Sequence, residues 1–321
     1  MRNNDEVVLE VRDLVVEFKV GGGRVVNAVS KISFDVCRGE TLAVVGESGC
    51  GKTTLGKAVL QLPPPNSGDV IFEGTNLSKL PKEQLRSART AMQMVFQDPI
   101  SSLDPRMTVR NLVEEPLWVW GRGNDEERAT KVRELLNNVG LDPDLVLNRR
   151  SYEFSGGQCQ RISIARSLAL EPRMLICDEP VSALDVSIQA QILNLLQDMK
   201  DRYGLTMIFI SHDLAVVKAV SNRIMVMYLG KICEVGDPDK IYTKPAHHYT
   251  SALINSVPIP DPTRKRANVP LQGEPPSPVA PPSGCRFRTR CPAASDKCAA
   301  EEPQLREVSP GQFVACHHPR V

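Results

Sequence analysis

With 321 residues, the chain has room for one large domain and an appendage. Its 39 basic and 38 acidic side chains nearly cancel, and aromatics make up only 5%. Neither a nucleic-acid polyanion nor a base-stacking surface is expected as partner. No apolar run approaches the roughly 20 residues of a membrane span. Met1–Glu6 lacks the apolar core of a signal peptide, so a cytoplasmic chain is expected, with docking on a membrane partner left open.

Taken in order, Val7 to Phe18 alternates apolar and polar positions, which predicts a strand or hairpin. Gly21-Gly22-Gly23 is a turn, and Ala28 to Val36 reads as the next strand. Arg38-Gly39-Glu40 turns the chain into the apolar run Thr41–Val45. A helix is expected over Thr54–Leu60, ended by Pro63-Pro64-Pro65. Short strands follow at Asp69–Gly74 and Met92–Phe96. From about Pro99 to Leu170 the pattern becomes helical, read as a helical insertion into an α/β core. Glu126 to Val139 carries spaced apolar positions and Gly140 stops it. Met174–Asp178 and Thr206–Ile210 are buried-type strands around a helix, Ser187–Arg202, a crossover that implies parallel pairing. Arg223–Tyr228 and Lys231–Val235 form a final hairpin. Nine prolines between Pro258 and Pro282 then read as an extended linker.

Three stretches carry chemistry. Gly46-Glu47-Ser48-Gly49-Cys50-Gly51-Lys52-Thr53-Thr54 has the P-loop spacing G-x-x-x-x-G-K-T between a predicted strand and a predicted helix. Its glycines let backbone N–H groups converge on phosphate, the helix N-terminus adds partial positive charge, Lys52 reaches the β- and γ-phosphates, and Thr53 holds Mg²⁺. Asp178-Glu179 ends an apolar strand, which places Asp178 in the Mg²⁺ shell and Glu179 to polarise the attacking water. Phe154-Ser155-Gly156-Gly157-Gln158, ahead of the helix expected from Gln160, makes a second anion-binding helix N-terminus. An NTPase with a single self-contained site has no use for one.

In these motifs the chain resembles the nucleotide-binding subunits of ATP-binding cassette (ABC) transporters. Phe154-Ser155-Gly156-Gly157-Gln158 stands where that family has LSGGQ, with phenylalanine for leucine. The resemblance covers about residues 7 to 255. It implies the P-loop NTPase core of an ABC nucleotide-binding domain, with an antiparallel β subdomain, the helical insertion and a Cys-rich C-terminal extension. Gln97, in Phe96-Gln97-Asp98, resembles the Q-loop glutamine that senses Mg²⁺ and water. Asp185, in Ser182-Ala183-Leu184-Asp185, resembles the D-loop. His212 resembles the switch histidine on the γ-phosphate, and Phe18 is the candidate for stacking on adenine. ATP is expected to lie between the P-loop of one subunit and the signature of a second.

A finer resemblance points to the oligopeptide and dipeptide importers. It rests on Phe96 to Thr108, on Glu153 to Arg161, and on Leu271 to Pro278 followed by Pro281 to Cys285. It implies ATP hydrolysis coupled to peptide import, with ATP and Mg²⁺ as ligands. Expected partners are a second ATPase subunit, preferably a paralogue, two transmembrane permease subunits and, indirectly, an extracytoplasmic peptide-binding protein. The location implied is peripheral, on the cytoplasmic face of the inner membrane. Competing readings are a soluble ABC-type ATPase of translation or DNA repair, an importer of another solute such as nickel or an oligosaccharide, and a redox-sensing module. A single cassette without sustained heptads speaks against the soluble class.

Cys37, Cys50, Cys159, Cys177 and Cys233 are scattered and read as small packing residues, whereas Cys285, Cys291, Cys298 and Cys316 cluster with spacing C-x5-C-x6-C-x17-C. The cluster reads as a zinc or iron–sulfur ligand set, with His317 and His318 as substitute ligands and Arg286, Arg288 and Arg290 offsetting thiolate charge. The importer resemblance favours 4Fe–4S over zinc. The expected domains are therefore 1–257 (ABC domain, helical part about 99–170), 258–284 (Pro-rich linker) and 285–321 (Cys-rich, metal-binding).

Overall fold

A computed structural model describes residues 6–256 and 273–320. Residues 258–272 of the expected linker, including Leu271 and Gln272, lie outside the described residues. The chain forms two compact units, Met1–Lys79 with Phe209–Val321, and Leu80–Ile208. The first unit begins with β1 (Val7–Val20), β2 (Arg24–Cys37), β3 (Thr41–Val45), α1 (Lys52–Val59), β4 (Ser67–Phe72) and β5 (Thr75–Asn76). The second holds α2 (Lys82–Ala88), β6 (Met92–Val95), α3 (Val109–Val119), α4 (Asp125–Asn138), α5 (Pro143–Val146), α6 (Gly156–Leu168), β7 (Met174–Asp178) and α7 (Val186–Tyr203). The boundary falls within β8 (Thr206–Ser211). The first unit then continues with α8 (Leu214–Val220), β9 (Arg223–Tyr228), β10 (Lys231–Gly236), α9 (Pro238–Thr243), α10 (His248–Ser256), α11 (Asp296–Ala300), β11 (Arg306–Ser309) and β12 (Gln312–Val314).

In the first unit, β1 and β2 pair antiparallel around the glycine turn, and β1 also pairs with β4, giving the order β2-β1-β4-β5. The alternation of β1 is broken where Asp13 takes φ 46 and the register shifts between Val11 and Leu14. A bulge re-aims the side chains there, so Val11 and Leu14 both face the core. β3 is buried along its whole length and runs parallel to β9, from Leu42 opposite Arg223 to Val45 opposite Val226. A strand covered on both faces reads as a continuous apolar run for this reason. β9 returns as β10 through a tight turn at Leu229-Gly230.

The C-terminal segment then comes back to this sheet. β12 pairs antiparallel with β10, Glu234 opposite Val314, and β11 pairs with β12. Glu234 is fully buried; its carboxylate accepts from the amides of Ala246 (2.8 Å) and His247 (2.9 Å) and from Gln312 Nε2 (2.7 Å). Three donors on one carboxylate compensate its burial.

In the second unit, β6 runs parallel to β7 in register from Met92 opposite Met174. The helical stretch expected between Pro99 and Leu170 is present as α3 to α6. α4 starts on an Asn124–Glu127 capping box, which explains its N-terminal boundary at Asp125. α6 starts at Gly156, earlier than expected, because Ser155 caps it. α7 runs from the Asp185 cap to Gly204, whose left-handed φ of 62 closes it. Among the described residues, no helix is long and apolar enough to cross a membrane.

Candidate functional site

The P-loop connects β3 to α1 in the first unit. Gly51, at φ 104, is the last residue before α1, and a Cβ there would be driven into the carbonyl oxygen of Ala28 on β2. Only glycine lets the loop lie this close to the neighbouring backbone. Lys52 is buried, and its Nζ donates to the carbonyls of Gly46 (2.8 Å) and Glu47 (3.1 Å). The ammonium is thus held within the loop itself. Thr53 and Thr54 are half-buried at the start of α1, and Ser48 and Gly49 are exposed at the tip. Cys50 is buried, which pushes its thiol pKa up despite the charge of Lys52.

Glu47 is fixed from three directions. Its N–H donates to the Tyr249 hydroxyl at 2.9 Å, its carbonyl accepts from Lys52, and its carboxylate takes both prongs of Arg290 at 2.7 and 3.1 Å. In the sequence Tyr249 carries no signal of a site role, and Arg290 reads only as charge compensation for thiolates. No local pattern around either marks it as a P-loop neighbour. In the same unit, His212 is exposed between the end of β8 and Asp213, whose side chain caps α8. Phe18 is partly exposed, at 39%, on β1.

The second unit brings Gln97 and Glu179 together: Gln97 Nε2 donates to Glu179 Oε2 at 3.0 Å. Glu179 follows the fully buried end of β7 at Asp178 and takes φ 46, a region costly for a side chain of this size. Backbone strain of this kind clusters where a side chain must be aimed. Cys177, just before, is inert packing: burial first, then the Asp178 charge, pushes its thiol up to about 12.

The signature stretch lies in this unit as well. Ser155 Oγ accepts from the Gln158 amide (3.4 Å) and the Ser155 amide donates to Gln158 Oε1 (3.1 Å), a capping box closed on itself. Gly156 is half-buried, and a Cβ on Gly157 would stand 2.6 Å from Ile188 Cγ2 on α7. Arg149 lies over the Phe154 ring at 4.4 Å, which gives the phenylalanine at this position a partner leucine would lack. Asp185 caps α7, and bonds from Ser187 and the Ile188 amide lower its pKa.

For the tail cysteines the geometry corrects one expectation. Among the described residues, no group of three or more His, Cys, Asp or Glu side chains is gathered closely enough to hold a metal ion. Tetrahedral zinc, with sulfurs about 2.3 Å from the metal, therefore does not fit Cys285, Cys291, Cys298 and Cys316 as they stand. The thiols do share one neighbourhood. The Cys285 amide donates to the Cys298 carbonyl at 2.8 Å. Burial, and then the charges of Cys285, Cys291 and Cys298, raise Cys316 to about 11.

Comparison with known proteins places these features in context. The family described as "ABC transporter" matches residues 29–182, and "Oligopeptide/dipeptide transporter, C-terminal region" matches 233–298. A protein of Brucella ovis named for peptide import ATP binding is 50% identical over 309 residues, spanning 96% of this chain and 97% of its own. The oligopeptide transport ATP-binding protein AppF of Bacillus subtilis is 48% identical over 326 residues, spanning 98% of each. The dimeric ATP-binding cassette MJ0796 bound to ADP and Pi superposes with a TM-score of 0.66 at 28% identity, over 72% of this chain and 98% of that one. CbiO1 of Clostridium perfringens, part of the ABC transporter complex cbiONQ, gives a TM-score of 0.66 at 27% identity, over 74% and 92%.

Proposed function

Since the chain belongs to the ATP-binding subunits of ABC transporters, we propose that it hydrolyses ATP to energise the import of peptides. The observation that carries the peptide reading is the oligopeptide/dipeptide C-terminal match over residues 233–298, which begins within β10 and runs into the tail. Lys52 and the P-loop amides bind the triphosphate, and Thr53 and Asp178 hold Mg²⁺. The ion, when bound, neutralises charge on the phosphate oxygens. Glu179 takes the proton of the attacking water, Gln97 orients that carboxylate, and His212 contacts the γ-phosphate. Phe18 stacks on adenine. The 3.0 Å Gln97–Glu179 bond and the strained φ of Glu179 support these roles.

Ser155, Gly156, Gly157 and Gln158 serve the nucleotide of a second ATPase subunit, a paralogue, with Asp185 at the same junction. The capping box then gives way to phosphate at the α6 N-terminus. Nucleotide binding closes the pair and hydrolysis releases it. Two permease subunits receive this motion on the cytoplasmic face of the membrane, and an extracytoplasmic peptide-binding protein delivers cargo to them. Phe96 and Ile100, exposed at 42% and 56% on either side of Gln97, support a docking surface in the second unit. For the tail we favour, on the importer resemblance, a 4Fe–4S cluster on Cys285, Cys291, Cys298 and Cys316, whose thiols would have to draw together to hold it. Anaerobic purification with visible absorption and iron analysis tests it, and a colourless, iron-free protein overturns it.

Glu179→Gln should lower turnover about a hundredfold or more, the share of a general base, while retaining ATP and accumulating a closed pair. Turnover near the wild-type rate would remove Glu179 from its role. Uptake of labelled di- and oligopeptides by cells lacking this chain tests the cargo. Unchanged peptide uptake with loss of nickel or oligosaccharide uptake would overturn the peptide reading.

A further inference from the structure

The tail reaches the nucleotide loop through a buried charge. Arg290 has a side chain only 4% exposed, and its guanidinium grips the Glu47 carboxylate with two parallel bonds of 2.7 and 3.1 Å. Glu47 is the first variable position of the P-loop, one residue after Gly46. A carboxylate there faces a difficulty: a loop built to receive a triphosphate carries a negative charge of its own. Arg290 cancels that charge in a fork geometry matched to a carboxylate.

Arg290 is itself held in place. Its amide donates to the Phe287 carbonyl at 3.0 Å, and Nη1 also reaches the Tyr228 hydroxyl at 3.4 Å. Phe287 is buried against Tyr228 and Tyr249, each with its ring centre 5.3 Å away. Tyr249 is the residue whose hydroxyl receives the Glu47 N–H. Arg286 fastens the same turn, bonding the Leu229 carbonyl and, at 2.9 Å, the Ser30 hydroxyl. Rings, guanidinium and hydroxyl form one packed assembly that begins in the cysteine-rich tail and ends on the backbone and side chain of Glu47.

We infer that Arg290 is a positioning residue for the nucleotide site: by neutralising and fixing Glu47 it sets the affinity of the P-loop for the ATP phosphates. The inference rests on the reading of Gly46–Thr54 as the ATP site. It gives the tail a part in nucleotide binding that a metal site alone would not. Cys291 follows Arg290 directly, so whatever constrains that cysteine also constrains the grip on Glu47.

The test is titration of the full-length chain with a fluorescent ATP analogue and Mg²⁺, with thermal unfolding monitored in parallel. Arg290→Gln should weaken binding about tenfold, the effect of one uncompensated charge close to the phosphates. The double variant Glu47→Gln with Arg290→Gln, in which no charge is left unpaired, should recover most of that loss. A role confined to stability would instead leave both variants with wild-type affinity in their folded fraction, or make the double variant the worse. Lys52→Ala separates the two levels of argument. If it binds like wild type, the ATP-site reading fails; if it loses binding while Arg290→Gln does not, the inference about Arg290 fails. Should Arg290→Gln not accumulate as folded protein, Arg290→Lys carries the test. It keeps the charge without the fork and should bind roughly two- to threefold more weakly; wild-type affinity would overturn the inference.

Discussion

Removing the Phe287 side chain should unfasten the tail from the first unit. Phe287 is 1% exposed, with Tyr228 and Tyr249 at 5.3 Å and His247 at 5.8 Å between ring centres. Its neighbours are themselves large rings held by hydrogen bonds, so they cannot collapse into the space that Phe287→Ala leaves. The cost should therefore fall in the usual range for such truncations, about 3–5 kcal/mol. That is a large fraction of a domain's whole stability, about 5–15 kcal/mol. Cys233 provides a reporter. It is 6% exposed on β10, and its carbonyl accepts the Ala315 amide of the tail at 2.8 Å. Labelling of Cys233 in native buffer, followed by peptide mass spectrometry, measures how often the tail lifts. At about 1.4 kcal/mol per decade, the Phe287→Ala variant should label a hundredfold faster or more. Phe287→Leu should lie well between the two. If Phe287→Ala labelled within about threefold of wild type, the tail would not be part of the first unit's core, and the reasoning would fail.

Two further outcomes are expected. Gly157→Ala pushes a methyl against Ile188 Cγ2, so it should destabilise the second unit by about 1–3 kcal/mol in urea unfolding. On an Ile188→Ala background, where Cγ2 is gone, Gly157→Ala should cost clearly less, and an unchanged cost would place the strain elsewhere. For His247, burial, and then the charge of His248, lower its pKa to about 3, and its Nδ1 accepts the Tyr249 amide at 3.0 Å. The folded form keeps this ring neutral while the unfolded chain protonates it below about pH 6.5. The unfolded state then binds the extra proton, so stability should fall as pH drops from about 6.5 towards 3. Between pH 7.5 and 5.5 the His247→Gln variant should lose less stability than wild type, by about 1 kcal/mol; equal losses would refute the assignment.

What the sequence made legible was local. The P-loop announces itself because its glycines, lysine and threonine sit within nine consecutive residues and act through the backbone they carry. The β9–β10 hairpin, α4 and α7 follow from periodicity and stop residues. The sequence alone places the first residue of the α6 helix at Gln160, after the Ser155-Gly156-Gly157 anion-binding turn. Ser155 and Gln158 instead complete a capping box that carries the helix back to Gly156. The pairing of Gln97 with Glu179 needed a family pattern, since 82 residues separate them. Least legible were contacts made by the tail. Glu47 and Arg290 are 243 residues apart, and Glu234 and Gln312 are 78 apart. A run of prolines lies between the last two pairs' partners, and composition of that kind hides whether the chain returns.

The pairing of β12 on β10 also bears on what a shortened chain would do. β10 would end the sheet with its backbone N–H and C=O groups facing outward, and the buried Glu234 carboxylate would lose its Gln312 donor. An open edge of this kind is a template for another copy of the same strand. A chain cut short before the tail is thus expected to self-associate and precipitate rather than persist as a smaller ATPase. Premature termination would remove the subunit from the cell instead of leaving a partly active one to compete for its partners.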